Sequence, residues 1–263
     1  MVVMAVLLTA PTRTSGYTLL LTDDADHVAA AQRLRRRVFS DELGALLPDD
    51  PDGRDVDHFD EHCDHLVVRE DTTGQIVGTY RMLPPAAAAR AGRRYADAEF
   101  DLTPLEGLRT RMVETGRSCV HPDHRSGAVI NLIWAGIARY LHLHGLSWLA
   151  GCASVPLAAG RDLAAGVWSA VRADHLIPAG LRVTPRRPWL AEPGVAEALE
   201  RASAPDAPTA AAPPLLRGYL RLGARVCGEP AYDPDFNVAD LYVLLSMDRI
   251  HPRYRRHFLG AVR

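Results

Sequence analysis

Residues 111–145 read RMVETGRSCVHPDHRSGAVINLIWAGIARYLHLHG, and the fold turns on how they divide. The first eleven, to His121, read as a central strand. HPDHRSG then forms a loop, and AVINLIWAGIARYLHLHG a helix that Gly145 ends. A loop carrying Arg125 and Gly127 from a strand into a helix presents backbone N–H groups at the helix N-terminus, a place where phosphate can bind. Gly127 is the loop's one glycine, so a single phosphate, as on a phosphopantetheine arm, fits better than a pyrophosphate. The competing reading is an ordinary strand–helix turn.

On either side of this unit the chain alternates. YTLLLTD (17–23) reads as a first strand, and Asp23 to Asp26 offer N-cap oxygens to a helix with Val28, Ala31, Leu34 and Val38 at helical spacing. Asp41 to Asp64 is polar and rich in Asp, Pro and Gly, hence a long ordered loop. HLVVRED and IVGTYRML flank TTGQ as a hairpin. Beyond Gly145 come a strand in LSWLAGCAS, a helix near 162–173, a strand in LRVTP, a helix in LLRGYLRLGARV and a strand in DLYVLLSM. The succession predicts a mixed α/β domain around one sheet. The expected layout is a flexible start (1–16), a core (17–190), an Ala/Pro-rich linker or excursion (191–214), and a C-terminal segment (215–263) completing the same domain.

Composition narrows the function. The chain has 263 residues, 48% of them hydrophobic, and a net charge of −2, so no overall basic field points to nucleic acid. All 30 basic residues are arginine, which excludes Schiff-base and lysine-nucleophile chemistry. Cys63, Cys119, Cys152 and Cys227 lie far apart, which favours reduced thiols in a cytoplasmic protein. The apolar opening MVVMAVLLTA lacks a basic segment and is not read as a signal peptide.

Two constellations carry candidate chemistry. DHFDEHCDHL (57–66) offers His58, His62, Cys63 and His65 to a metal, but their spacing matches no standard ligand pattern. Solvated loop histidines, or the polar lip of a substrate pocket, are the alternatives, and no metal is expected. The second constellation is dispersed. Arg35 and Phe39 are four apart on the first helix, so they share a face. Asp57 and Asp60 sit in the acidic loop, and Arg81 on the hairpin. Glu114 and Arg117 are three apart on the central strand, on opposite faces unless the strand bulges near Gly116. Taken singly, each has a surface or salt-bridge role as its default.

In chain order, RRRVF (35–39), DHFD (57–60), RMLP (81–84) and ETGRS (114–118) resemble the acyl-homoserine-lactone synthases, which have a fold similar to the Gcn5-related N-acyltransferases. GRSCVHPDHR, GIARYL, GCAS, LLRGYLRLGA, VCGEPAYDPDFNVADL and RYRRHFL look more like the ornithine-lipid N-acyltransferases, also called hemolysin-like. Where the lactone synthases place a tryptophan after the first helix, this chain has Leu43–Gly44–Ala45, a departure from the lactone pathway.

The resemblance implies a GNAT-like central sheet flanked by helices, with a C-terminal extension. It implies transfer of a (3-hydroxy)fatty acyl group from acyl carrier protein to the amine of an amino acid, ornithine foremost. Glu114 and Arg117 are then the expected catalytic residues, Glu114 taking the amine's proton. Backbone N–H groups near Arg117–Cys119 would meet the oxyanion. Arg35, Phe39, Asp57, Asp60 and Arg81 would line the acceptor pocket. There Asp57 and Asp60 either hold an ammonium or fix Arg35 and Arg117 by ion pairs, while Arg81 or Arg35 takes a carboxylate. Arg125, Ser126, Gly127 and Ala128 would receive the phosphopantetheine of the carrier, or acyl-CoA as donor, with no tightly bound cofactor. The amphiphilic product implies peripheral membrane contact, and the basic tail (Arg249, Arg253, Arg255, Arg256) is a solvated face or a contact for carrier or lipid. Other readings are an autoinducer-like or other N-acyl amino acid synthase, an acyl-cysteine route through Cys119 and His121, an acyl-CoA-dependent acetyltransferase, and a non-catalytic, hemolysin-like membrane-binding protein.

Overall fold

The computed structural model describes residues 16–204 and 210–250; Arg253, Arg255 and Arg256 of the basic tail, and the expected flexible start up to residue 15, lie outside them. The described residues fall into two compact units, 16–93 with 113–147, and 94–112 with 148–204 and 210–250.

The first unit is built on an antiparallel sheet. Strand β1 (Tyr17–Thr22) is followed by helix α1 (Ala25–Arg36), whose N-cap Asp24 accepts hydrogen bonds from the N–H groups of Asp26 and His27. Strands β2 (Asp64–Glu70) and β3 (Ile76–Leu83) form the expected hairpin, and α2 (Pro85–Arg90) follows. The opening stretch supplies β4 (Met112–Val120) and α3 (Ala128–Leu143). Pairing runs β1 to β2, β2 to β3 and β3 to β4, each antiparallel.

Both faces of this sheet are covered, which explains why Leu66, Val67 and Val68 are all fully buried. Alternation along β2 turns Val67 towards Ala31, Leu34 and Val38 of the first helical segment, and Leu66 towards α3. Close approach of α3 depends on two glycines. A Cβ on Gly136 would lie 2.7 Å from the Leu19 side chain, and one on Gly78 would lie 2.6 Å from Val129. The helix ends as expected: Gly145 has φ +62, and the Leu146 N–H reaches back 2.9 Å to the Leu141 carbonyl.

The second unit pairs β5 (Trp148–Pro156) antiparallel with β8 (Val238–Ser246), and β8 also pairs with β6 (Arg225–Val226) and β7 (Ala231–Asp233). Helices α4 (Asp162–Asp174), α5 (Val195–Ala202) and α6 (Pro214–Leu222) belong to it. Its core gathers Phe100, Leu102, Leu105, Ile177, Val183, Tyr242 and Leu244. Two local readings differ from the expectation. The LRVTP strand shortens to Thr184–Pro185, because Leu181 closes a 3-10 turn, Ala179–Leu181, and the Val183 N–H bonds the Cys227 carbonyl instead. The stretch 191–214, expected as a linker or irregular excursion, holds α5, whose Val195 and Ala198, three apart on one helical face, are buried.

Candidate functional site

The polar constellation assembles within the first unit, on the α1 side of the sheet. Arg35, on the last turn of α1, is fully buried. Its guanidinium donates to both oxygens of Asp60, at 2.7 and 2.8 Å, and its Nε lies 2.9 Å from Asp55 Oδ2. Arg81, on β3, is 2.5 Å from Asp57 Oδ1 and 3.2 Å from Asp60 Oδ1. Arg117, on β4, lies 3.0 Å from Asp55 Oδ2 and 3.4 Å from Asp57 Oδ2. The contacts close on themselves, from Arg35 to Asp60, Arg81, Asp57, Arg117, Asp55 and back to Arg35. Three positive and three negative side chains alternate, so the ring carries no net charge.

That neutrality is what allows six ionised groups to sit together below the surface, since an unpaired buried charge would be costly. Burial alone would raise the Asp60 carboxyl, but the hydrogen bonds and charge of Arg35, with the charge of Arg81, outweigh it and hold the group well below the usual carboxylate range. For Asp57, burial is likewise overcome, by Arg81 first and then Arg117. Arg81 moves the other way: burial opposes its charge, but its aspartate partners prevail and raise it.

Local backbone features place these groups. The chain beyond α1 widens into a π-helical turn, Arg37–Glu42, and Phe39 on that turn lies with its ring centroid 6.0 Å from the Arg117 guanidinium carbon. In the β3–β4 ladder, Thr79 faces Cys119 but Arg81 faces Gly116, so Arg117 and Ser118 together oppose Tyr80. This is a β-bulge, and Arg117 occupies it at φ +51, a rare conformation for a residue with a side chain. Regular alternation would send Arg117 to the face of Thr115 and Tyr80, whose hydroxyls are 3.4 Å apart. The bulge turns it to the face of Arg81 and Glu114 instead, which meets the condition set by the three-residue spacing.

Glu114 is buried, opposite Leu83 in the ladder, and close enough to Cys63 for its charge to act on that thiol. Asp55 was missed by sequence reasoning. It is one of several aspartates in the 41–64 loop, and no residue pattern sets it apart from Asp49, Asp50 and Asp52. The Asp55 N–H also bonds the Gln32 carbonyl at 3.1 Å, tying the loop to α1. Of the two roles open to Asp57 and Asp60, ion pairing to arginines is the one displayed.

Arg125 lies apart from this ring. It forms a two-pronged pair with Glu42, at 2.5 and 2.7 Å, and its Nε donates to the Val120 carbonyl. Gly127, at φ +99, opens α3, with Ser126 before it and Ala128 as the first helical residue. Cys119 is buried in the apolar layer between α1 and the sheet, and burial pushes its thiol up to about 12, which removes the thiolate a covalent route needs. His65 turns inward to the Asp60 carbonyl at 3.0 Å, whereas His58 and His62 stay on the outside of the turn.

The model of the Acetyltransferase (GNAT) domain family matches residues 34–135, a span that contains every residue of the charged ring. A protein of Rhodobacter capsulatus named L-ornithine N(alpha)-acyltransferase is 39% identical over 94% of this chain and 96% of its own length. A Brucella abortus protein of the same name is 34% identical over 88% and 84% of the two chains. The chain belongs to the L-ornithine N(alpha)-acyltransferase family. It is an acyltransferase with a GNAT fold. The fold is also that of a CoA-dependent acyl-homoserine lactone synthase, BjaI, solved with SAM and isopentyl-CoA (TM-score 0.52, 16% identity, 89% of this chain and 81% of that one). Among the described residues no helix is long and apolar enough to cross a membrane.

Proposed function

We propose that this chain moves a (3-hydroxy)fatty acyl group from acyl carrier protein to the α-amine of ornithine, giving a lyso-ornithine-lipid-type product. The observation that carries this reading is the near full-length match to a protein bearing the name L-ornithine N(alpha)-acyltransferase. In the reaction the amine nitrogen attacks the thioester carbonyl, the C–N bond forms and the C–S bond breaks. The phosphopantetheine thiol leaves, protonated. Glu114, directly or through a water, takes the proton the amine must lose. Arg117 and its bulge stand beside it, where backbone N–H groups could meet the oxyanion.

The acceptor's carboxylate needs a planar fork; Arg35 is fully buried with both prongs on Asp60, which leaves Arg81 of the two arginines, by exchange of its Asp57 contact. Asp57 is the carboxylate best placed for the ammonium, because it is the most exposed of the ring's three aspartates and an ammonium can exchange with its 3.4 Å contact to Arg117. Phe39 borders the same face. The donor's phosphate falls to Arg125, Ser126, Gly127 and Ala128, where the start of a 16-residue helix supplies N–H donors. A cleft of 280 Å³ whose lining includes Arg33 and Arg37 adds a basic edge suited to an acidic carrier protein. The product is amphiphilic, so the enzyme meets a membrane surface when it releases it.

The test is thiol release from 3-hydroxyacyl carrier protein, with ornithine, lysine, glutamine and glycine as acceptors and matched acyl-CoA donors alongside. Ornithine-dependent release from the carrier is the expected result. Release from acyl-CoA alone would overturn the donor, and no release with ornithine would overturn the acceptor.

A further inference from the structure

The acidic turn has an outer side that the acyl-transfer reading does not use. Of the four metal-type residues in DHFDEHCDHL, folding separates two from the others. His65 is buried against the Asp60 carbonyl, and Cys63 sits within reach of the charges of Arg81 and Asp60. His58, Glu61 and His62 converge instead, in the order H-x-x-E-H. Their ligand atoms all lie within 4.8 Å of one another. Glu61 Oε1 is the common point, 3.8 Å from His58 Nδ1 and 3.6 Å from His62 Nε2.

Bond lengths of about 2.0–2.2 Å to a tetrahedral ion place neighbouring ligand atoms roughly 3.3–3.6 Å apart. The two spacings to Glu61 need a contraction of only a few tenths of an ångström, and the two imidazole nitrogens, within 4.8 Å of each other, one of up to about 1.3 Å, within reach of a rotation of the exposed His58 ring. Two further observations point to a ligand set rather than a chance cluster. His58 Nε2 lies 3.2 Å from the Ala91 carbonyl, which can only accept, so Nε2 carries the proton and the Nδ1 lone pair faces Glu61. A carbonyl behind a histidine is the second partner that metal-binding imidazoles characteristically have. The turn itself is also pinned. The N–H groups of His62 and Cys63 both bond the Phe59 carbonyl at 3.0 Å, and the buried Phe59 ring packs beneath Arg93.

We infer that His58, Glu61 and His62 form a site for a divalent transition metal of the zinc class, on the outside of the turn that carries Asp57 and Asp60. Two imidazoles and one carboxylate leave a coordination position open. The inference concerns binding only and does not depend on the acyl-transfer reading.

The full chain, freed of metal, is titrated with zinc against a chromophoric chelator, and cobalt is added to a parallel sample for its visible spectrum. The expected result is one zinc per chain, and a cobalt spectrum of low coordination number. His58→Ala combined with His62→Ala should weaken binding by more than about 100-fold, since losing an outer partner alone costs about 10–100-fold. Glu61→Gln, a change at an exposed side chain that leaves the fold alone, should weaken it about 10-fold or more. His142→Ala, on α3, should bind as the parent does. No zinc binding, or equal affinity in the double variant and in Glu61→Gln, would overturn the inference and assign any bound metal elsewhere.

Discussion

Replacing Asp60 by Asn tests the charged ring most directly. Asp60 binds both prongs of Arg35 and also touches Arg81, and its side chain is only 7% exposed. Asp60→Asn keeps the shape but leaves three guanidinium groups facing two carboxylates. Removing one partner of a buried ion pair costs about 3–5 kcal/mol. The amide retains one acceptor for Arg35, so the lower end, about 3 kcal/mol, is expected, which for a chain of this size is a fall of about 6–12 °C in Tm. Asp49→Asn is the control: Asp49 is fully exposed, 3.6 Å from Arg36, and its loss should leave Tm where it was.

Acid supplies the second half of the test. In the unfolded chain a carboxyl takes up its proton near pH 3.9, whereas Asp57 and Asp60 hold theirs off to lower pH when folded. In that window the unfolded state binds more protons, so stability falls as pH drops from about 5 towards the folded values. The parent loses the Asp60 share and Asp60→Asn has none to lose. The gap between them, followed by denaturant unfolding from pH 7 to about pH 2, should therefore narrow, by a few tenths of a kcal/mol at about pH 4 and by more below it. A gap that stays constant, or a Tm change no larger than that of Asp49→Asn, would refute the account of the ring.

Other outcomes follow from single contacts. Glu114→Gln should abolish amide formation while leaving the circular dichroism unchanged; full activity would remove Glu114 from the mechanism. Cys119→Ala should keep transfer within a few-fold and cost about 1 kcal/mol of stability, because burial pushes the thiol up to about 12, away from the thiolate a covalent route needs. Loss of transfer in a folded Cys119→Ala protein would restore an acyl-cysteine route. Gly228→Ala should destabilise by about 1–3 kcal/mol or more, since its Cβ would stand 2.5 Å from the Val183 carbonyl oxygen at φ +139. A Tm within 2 °C of the parent, about 1 kcal/mol or less, would show that the backbone there yields.

What was legible in the sequence was what neighbours in the chain decide. The Asp24 cap, the TTGQ hairpin and the Gly145 stop each depend on a few adjacent residues, and each formed where expected. Five of the ring's six residues were legible. Arg35, Asp57, Asp60, Arg81 and Arg117 stood out through a resemblance, but Asp55 sits in a loop with Asp49, Asp50, Asp52 and Asp57, and only the path of that loop past Gln32 selects it. The division of the histidines was partly legible: His65 falls in the HLVVRED strand, and His58 and His62, four apart, can meet on one turn, but the Asp-rich sequence is a poor helix and only the hydrogen bonds at the Phe59 carbonyl make that turn. Helix α5 was obscured by composition, because the alanines and prolines around it read as a linker.

The bulge at Arg117 joins strain to function. A side chain at positive φ costs of the order of 1–3 kcal/mol and persists only when its surroundings hold it. Here Asp55 and Asp57 hold the guanidinium, and the same distortion turns Arg117 to the face of Glu114. If that is the balance, two truncations should rank in an unusual order. Arg117→Ala and Arg117→Gly both open the ring and lose the same contacts, but only glycine relieves the backbone. In an ordinary strand glycine is the worse residue by about 0.5–1 kcal/mol. At this position Arg117→Gly should be the more stable of the two by about 1 kcal/mol. If alanine proves better, as in a regular strand, then the bulge relaxes once the guanidinium is gone. The ring would then be creating the bulge, rather than occupying one that the β3–β4 ladder already imposes.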